Sequence, residues 1–151
     1  MPLCTSGQAL LEVALMLPFL LLLALGVIEL GRYAYIGILI GNAARSGAAY
    51  GAQSHITAAD GPGIVTAADS DFQNNGQNVG TLKVTSGYAC GCDNGGTITT
   101  VDCTTGVCPI SIPKIVNLAV TASGTFSSLF SYPGIPSSIF VSRTATLRIG
   151  K

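Results

Sequence analysis

From Val13 to Ile28 no residue carries a charge, and the apolar run reaches back to Ala9 with Glu12 as its one interruption. About 20 such residues are what an α-helix needs to cross roughly 30 Å of hydrocarbon. The run is longer than the ~7–15 apolar residues of a secretory signal, and no small-x-small cleavage site closes it. It therefore predicts a membrane helix over about residues 9–28. Glu12 falls in the first turn, where an ionised carboxylate costs on the order of 2.5–3.5 kcal/mol on insertion scales, so a partner for it is implied. No Lys or Arg precedes the run, whereas Arg32 and Arg45 come after it. Taken alone, the positive-inside rule would favour the orientation that leaves the rest of the chain in the cytoplasm.

Past the apolar run the helix is expected to continue to about Gln53, because no Pro interrupts residues 19–61 and Ala is abundant. At 1.5 Å per residue, Gln8 to Gln53 would measure about 70 Å, more than twice a bilayer, so half of it must project. Pro18 removes a backbone donor and is expected to bend or locally open the helix. Glu29 and Arg32 stand three apart and can pair on one face at the outer boundary of the membrane segment. Gly37 with Gly41, and Gly47 with Gly51, form two small-xxx-small spacings of the kind that let helix backbones approach closely. Asp60-Gly61-Pro62-Gly63 is a strong breaker and is expected to end the rod.

The remainder reads as a small head, residues 54–151. A short helix over about 64–72 is succeeded by the polar stretch Gln73–Asn78. From Gly80 the pattern turns to β, with strands expected over about 81–89, 97–102, 115–126 and 139–149. Asp93-Asn94-Gly95-Gly96 has hairpin-turn chemistry, and Ser131-Tyr132-Pro133-Gly134-Ile135-Pro136 joins the last two strands. Arg143 and Arg148 do not alternate cleanly with the apolar residues of the final strand, which leaves its buried face open. The fold class is α+β: a long N-terminal helix for membrane and assembly, with a small antiparallel sheet.

Chemistry-bearing clusters are few. The net charge is +0 and only 9% of the 151 residues are charged, which argues against a nucleic-acid binder with its basic field. Nineteen Gly and 48% hydrophobic residues describe a chain that relies on packing and association, not a free cytosolic enzyme. His55 is the sole histidine, with no nucleophile placed near it by any motif, and reads as a helix-end or surface residue. Asp69-Ser70-Asp71 with Asn74 and Asn75 invites a calcium reading, but the EF-hand spacing is absent and a solvated helix end is preferred. No catalytic residue, cofactor or metal site is expected.

Gly7-Gln8-Ala9-Leu10-Leu11-Glu12, the run to Pro18, and the later segments Gly26–Arg32 and Asn42–Ala48 resemble the N-terminus of type IV pilin-like proteins, in particular the TadE-like pilins of tight-adherence systems. A fainter likeness lies in Ser142–Arg148, similar to that family's closing strand. The resemblance implies cleavage by a prepilin peptidase between Gly7 and Gln8, which removes residues 1–7 as a leader and makes Glu12 the fifth residue of the mature chain. It further implies insertion in the inner membrane, handling by an inner-membrane assembly platform, and polymerisation into an extracellular homo-oligomeric filament, with or without other pilins. Glu12, Pro18, Glu29 and Arg32 are then the assembly residues, and the new amine of Gln8 is the partner that Glu12 needs. Two other readings stand beside this one: a minor subunit that primes or tips another pilin's filament, and an anchored envelope binding module that never polymerises.

Cleavage would also remove Cys4 and leave an even set, Cys90, Cys92, Cys103 and Cys108, around the hairpin. Disulfides are preferred to a zinc site, because Cys90-x-Cys92 is tighter than common zinc spacing and a domain beyond the membrane lies in an oxidising compartment. A nested pairing, Cys92 with Cys103 and Cys90 with Cys108, is expected; the alternative joins Cys90 to Cys103 and Cys92 to Cys108.

Overall fold

The computed structural model describes residues 6–74, 82–129 and 136–149, in two compact units, Met1–Tyr35 and Ile36–Lys151. Outside the described residues lie most of the expected leader with Cys4, the polar stretch from Asn75 to Asn78, the start of the strand expected at 81, and most of the connection from Ser131 to Ile135.

Helix α1, Ser6–Gly51, has 46 residues and is unbroken through Pro18. Within the first unit its large side chains are exposed on every side, Leu10, Leu15, Phe19, Leu22 and Val27 among them. A helix apolar all round has no single stripe to bury, so it calls for apolar surroundings on all faces. Among the described residues α1 is the one helix long and apolar enough to cross a membrane.

The second unit is built differently. Here α1 presents Ile36, Leu39, Ile40, Ala43, Ala44 and Ala48, all buried, at the three- and four-residue spacing that makes one face of a helix. The helix ends at Gly51, two residues short of the expected Gln53 and well before the Asp60–Gly63 breaker. Ser54 then caps the short helix α2, His55–Ala59: its hydroxyl accepts from the Thr57 N–H, and the Thr57 hydroxyl accepts from the Ser54 N–H. The breaker opens a third helix, α3, Gly61–Asn74. The Asp60 carboxylate accepts from the Gly63 N–H at 3.1 Å, and Pro62 sits in the first turn, where its missing donor costs nothing. The expectation that this motif terminates the rod is thus corrected, and the helix expected over 64–72 gains residues at both ends.

Four antiparallel strands, β1 Lys83–Asn94, β2 Thr97–Val101, β3 Lys114–Ser127 and β4 Ser138–Arg148, form one sheet in the order β2-β1-β3-β4. β1 runs five residues beyond the expected end at 89 and turns through Gly95 and Gly96, whose φ of +63° and +117° are costly for any residue with a Cβ. On β3 every second residue faces inward, so Leu118, Val120, Ala122 and Phe126 are buried. The core joins Leu118 and Val120 to Ala48, Ala58, Ile64 and Ile149. The arginines of β4 are resolved by register. Arg143 lies opposite Ala122 on the inward row, whereas Arg148 lies opposite Asn117 on the outward one, as their odd separation requires.

Candidate functional site

Two charged sites bracket the uncharged part of α1. Glu12 is exposed and borders a shallow groove with Ala9, Val13, Met16 and Leu17. At the other end the Arg32 guanidinium donates to Glu29 at 3.1 Å, with Glu29 only 14% exposed. Glu12 and Glu29 are seventeen positions apart, about 26 Å of helix. This is close to the thickness of a hydrocarbon core. Pro18 lies between them and leaves the Ala14 carbonyl without its usual donor.

Gly7 and Gln8 are exposed residues of α1, and a Cβ added at Gly7 would meet nothing within 4 Å. Among the described residues neither packing nor a positive φ explains a glycine at that position.

The four glycines expected to admit a neighbouring helix meet side chains of their own unit. A Cβ at Gly51 would collide with Leu118 and approach Ile64 Cδ1 to 3.0 Å; one at Gly47 would lie 3.1 Å from the Ile64 carbonyl and 3.3 Å from Val120 Cγ1. Gly37 and Gly41 form a floor under Arg143, whose guanidinium and Cγ would lie 3.5 and 3.9 Å from added Cβ atoms. Gly47 and Gly51 let α1 approach β3 and α3 closely, whereas at Gly37 and Gly41 an added Cβ would make only ordinary contact with Arg143.

The cysteines are joined Cys90–Cys103 and Cys92–Cys108, with Cα separations of 5.1 and 5.6 Å. The nested pairing expected from the sequence is therefore incorrect, and register explains why. Cys90 lies opposite Val101 and Cys92 opposite Thr99, so Cys103, two residues beyond Val101, continues past Cys90 and away from Cys92. The chain then returns to pair Lys114 with Cys92, which carries Cys108 to the cysteine left over.

The disulfide-linked turn has its own hydrogen bonding. Asp102 accepts from the N–H and hydroxyl of both Thr104 and Thr105 at 2.6–3.0 Å, which holds its carboxyl well below the usual carboxylate range. The Lys114 ammonium donates to the carbonyls of Asp102, Cys103 and Gly106. Asp-x-Thr-Thr is a side-chain-capped turn legible in sequence; the lysine, eight to twelve residues away, is not. On the helical side, the Tyr50 hydroxyl donates to Asp60 at 2.7 Å. That bond, and after it the Gly63 N–H, lowers the Asp60 pKa; the same bond raises that of Tyr50.

His55 lines an open cleft with Tyr88, Lys114, Val116 and the Cys90–Cys103 bond. Asp69 and Asp71 both belong to α3, where two positions turn a side chain through roughly 200°, so they do not converge on one ion. Among the described residues no group of three or more His, Cys, Asp or Glu could hold a metal.

The family model of TadE-like protein matches residues 7–49. The N-terminal segment is therefore similar to TadE-like proteins. The match starts at Gly7 and stops two residues short of the end of α1, so it takes in Glu12, Pro18, the Glu29–Arg32 pair and three of the four glycines, Gly37, Gly41 and Gly47. The sheet, both disulfides and the Ser142–Arg148 likeness lie outside it. No curated protein and no solved structure matches the chain. A segment similar to TadE-like proteins that coincides with a helix long and apolar enough to cross a membrane fits a pilus-related, membrane-anchored protein.

Proposed function

We propose that this chain is a structural pilin subunit, processed between Gly7 and Gln8, held in the inner membrane by the first part of α1, and then assembled through that helix into an extracellular filament. The observation that carries this reading is Glu12, an exposed carboxylate in the first turns of a helix whose apolar side chains are exposed all round, within a segment similar to TadE-like proteins. A bare anchor gains nothing from such a charge. Cleavage would create a cation on Gln8 at the same depth, and the amine of one subunit would pair with Glu12 of the next. Attraction rises as the dielectric falls, but so does desolvation cost, so the pair sets register and selects processed subunits more than it adds net stability. The prepilin peptidase, the assembly platform and further copies of the chain are the partners this requires. Gly7, which the fold does not otherwise need, is accounted for as the residue before the cut.

Glu12→Ala tests the mechanism. Membrane insertion should be kept, leader cleavage should proceed, and filament yield should fall sharply, with Glu12→Asp intermediate because its arm is shorter. Normal yield from cleaved Glu12→Ala protein would sink the pairing. Intact mass of sheared surface material separates the remaining readings: abundant chain starting at Gln8 is a major pilin, traces are a minor subunit, and protein confined to the membrane is an anchored module.

A further inference from the structure

Among the described residues the sheet ends at β4 on one side and at β2 on the other. Successive residues of a strand turn their N–H and C=O to opposite sides, so a few bonds fix which groups each edge leaves open. The Ile149 N–H donates to the Val116 carbonyl, and the Ser137 carbonyl accepts from the Ser128 N–H, so the odd-numbered residues of β4 serve the ladder to β3. Phe140, Ser142, Thr144, Thr146 and Arg148 turn theirs to the open edge, where the Ser142 carbonyl accepts from Arg143 at 3.1 Å. On β1 the Asp93 N–H donates to Pro113, toward β3. Asn94 then turns to Thr97 across the Gly95-Gly96 turn, which leaves Ile98 and Thr100 at the open edge of β2. A strand of 11 residues open along one side is a template for another strand.

Apolar exposure, charge and strand direction decide what the template fits. On β4 Phe140 is 68% exposed, with Ile139 and Leu147 also exposed; on β2 Ile98 is 52% exposed, and Val107 and Ile110 are exposed in the turn that follows it. Of the large apolar residues of the inner strands β1 and β3, Tyr88 alone is exposed. β4 carries Arg143 and Arg148 and no acidic residue, whereas β2 carries no basic one and is followed by Asp102. A second β4 would therefore bring like charges together, and β2 of another copy brings the opposite sign. In a sheet of four antiparallel strands the two edge strands run in opposite directions, so a copy set alongside in the same orientation offers its β2 antiparallel to β4. The faces agree as well. Ile98 and Thr100 lie opposite Asp93 and Gly91, and Gly91 opposite Ile115, on the same outward row as Phe140, Thr144 and Arg148.

We propose that β4 of one subunit pairs antiparallel with β2 of a second copy of this chain, so that the sheet runs on from head to head. A contact between two different edges repeats without closing, as a polymer requires. The inference rests on the filament reading above, and it adds a contact between heads to assembly through the helix. The five residues of β2 make an interface smaller than those that hold two free proteins together. The pairing therefore forms where assembly already keeps the subunits side by side.

Disulfide trapping in sheared filaments of the full chain tests the pairing. Thr100→Cys is combined in one chain with Ser142→Cys, Thr144→Cys or Thr146→Cys, which cover neighbouring registers, and the native bonds are verified by peptide mapping. Mild oxidation of at least one double variant should give a ladder of dimers, trimers and longer species joined from β2 to β4. Thr100→Cys with Thr85→Cys, exposed on the inner strand β1, should give none. Thr146→Pro is a second measurement. Its N–H faces the open edge, so the ladder to β3 keeps its bonds and the urea midpoint should stay near that of wild type. Filament yield should fall by about ten-fold, the worth of one or two hydrogen bonds at each contact. Filaments whose double variants ladder no more than the Thr85→Cys control overturn this inference and leave the filament reading standing, as does normal assembly of Thr146→Pro. Dimers from Thr144→Cys alone would assign the edge to a second β4 and overturn it too. Absence of the wild-type chain from sheared material would overturn the filament reading, and this inference with it.

Discussion

Replacing Gly51 by Ala should destabilise the second unit by about 1–2 kcal/mol, a magnitude set by what the new methyl meets. It would collide with Leu118 and come to 3.0 Å from Ile64 Cδ1, and both neighbours are 0% exposed. A close-packed core cannot yield room cheaply, so overpacking of this kind costs ~1–3 kcal/mol. Against it stands the gain in helix propensity, at most about 1 kcal/mol and less at the last residue of a helix. Gly41→Ala is the contrast. Its Cβ would lie 3.9 Å from Arg143 Cγ, an ordinary contact, so the propensity gain of about 0.5–1 kcal/mol should appear as stabilisation. Gly47→Ala, at 3.1 Å from a carbonyl oxygen, should fall between them. Urea unfolding of the full chain in mild detergent, monitored by near-ultraviolet circular dichroism of its five Tyr, reads the order directly. With a slope of ~1–3 kcal/mol per molar urea, Gly51→Ala should lower the midpoint by about 0.5–1 M. A Gly51→Ala protein as stable as wild type, or a Gly41→Ala protein less stable than Gly51→Ala, would refute the claim that these glycines serve packing within the unit.

The Tyr50–Asp60 bond should leave a signature at both ends of the pH scale. Asp60 titrates below its ordinary value of 3.8 in the fold, so its contribution is complete above that value and is lost as pH falls through the lowered one. Tyr50 titrates above 10.0, so its contribution is complete below pH 10.0 and is lost as pH rises through the raised value. The stability difference between wild type and Tyr50→Phe should accordingly be flat near neutral pH and shrink at both extremes; a difference independent of pH would show that the bond does not form. The disulfide connectivity is tested by counting thiols. In the chain cut after Gly7, which lacks Cys4, the double variant Cys92→Ser with Cys108→Ser should oxidise fully through Cys90–Cys103, whereas Cys92→Ser with Cys103→Ser should retain two free thiols. For loops of sequence separation 13 and 16, losing either bond should cost about 3 kcal/mol in thermal or urea unfolding.

Much of this protein is legible residue by residue. The apolar run, the Glu at its start and the Glu29–Arg32 spacing are local facts, and the length of the run, with no Pro between residues 19 and 61, is enough to place them on one helix. The two-residue turn at Gly95 and Gly96 is likewise local, since positive φ at both positions selects glycine, and the β-branched segments flanking it announce the strands they form. Four cysteines beyond the membrane segment call for two bonds.

Which cysteines join is a different kind of fact. It depends on the β1–β2 register and on the return of the chain to Lys114, both set by pairings between residues distant in sequence. For the same reason the sequence left the face of β4 open until Arg143 and Arg148 were placed against β3, and it offered small-residue spacings without saying that Leu118, Val120, Ile64 and Arg143 would fill them. Asp60-Gly61-Pro62-Gly63 failed as a stop signal because a cap and a first-turn proline serve a helix that begins as well as a break before it. Helix period, turn chemistry and the cost of charge in hydrocarbon act within a few residues, so a short stretch of chain is enough to set them. Strand register and close approach act between segments far apart in the chain, and they are settled only where the fold brings those segments together.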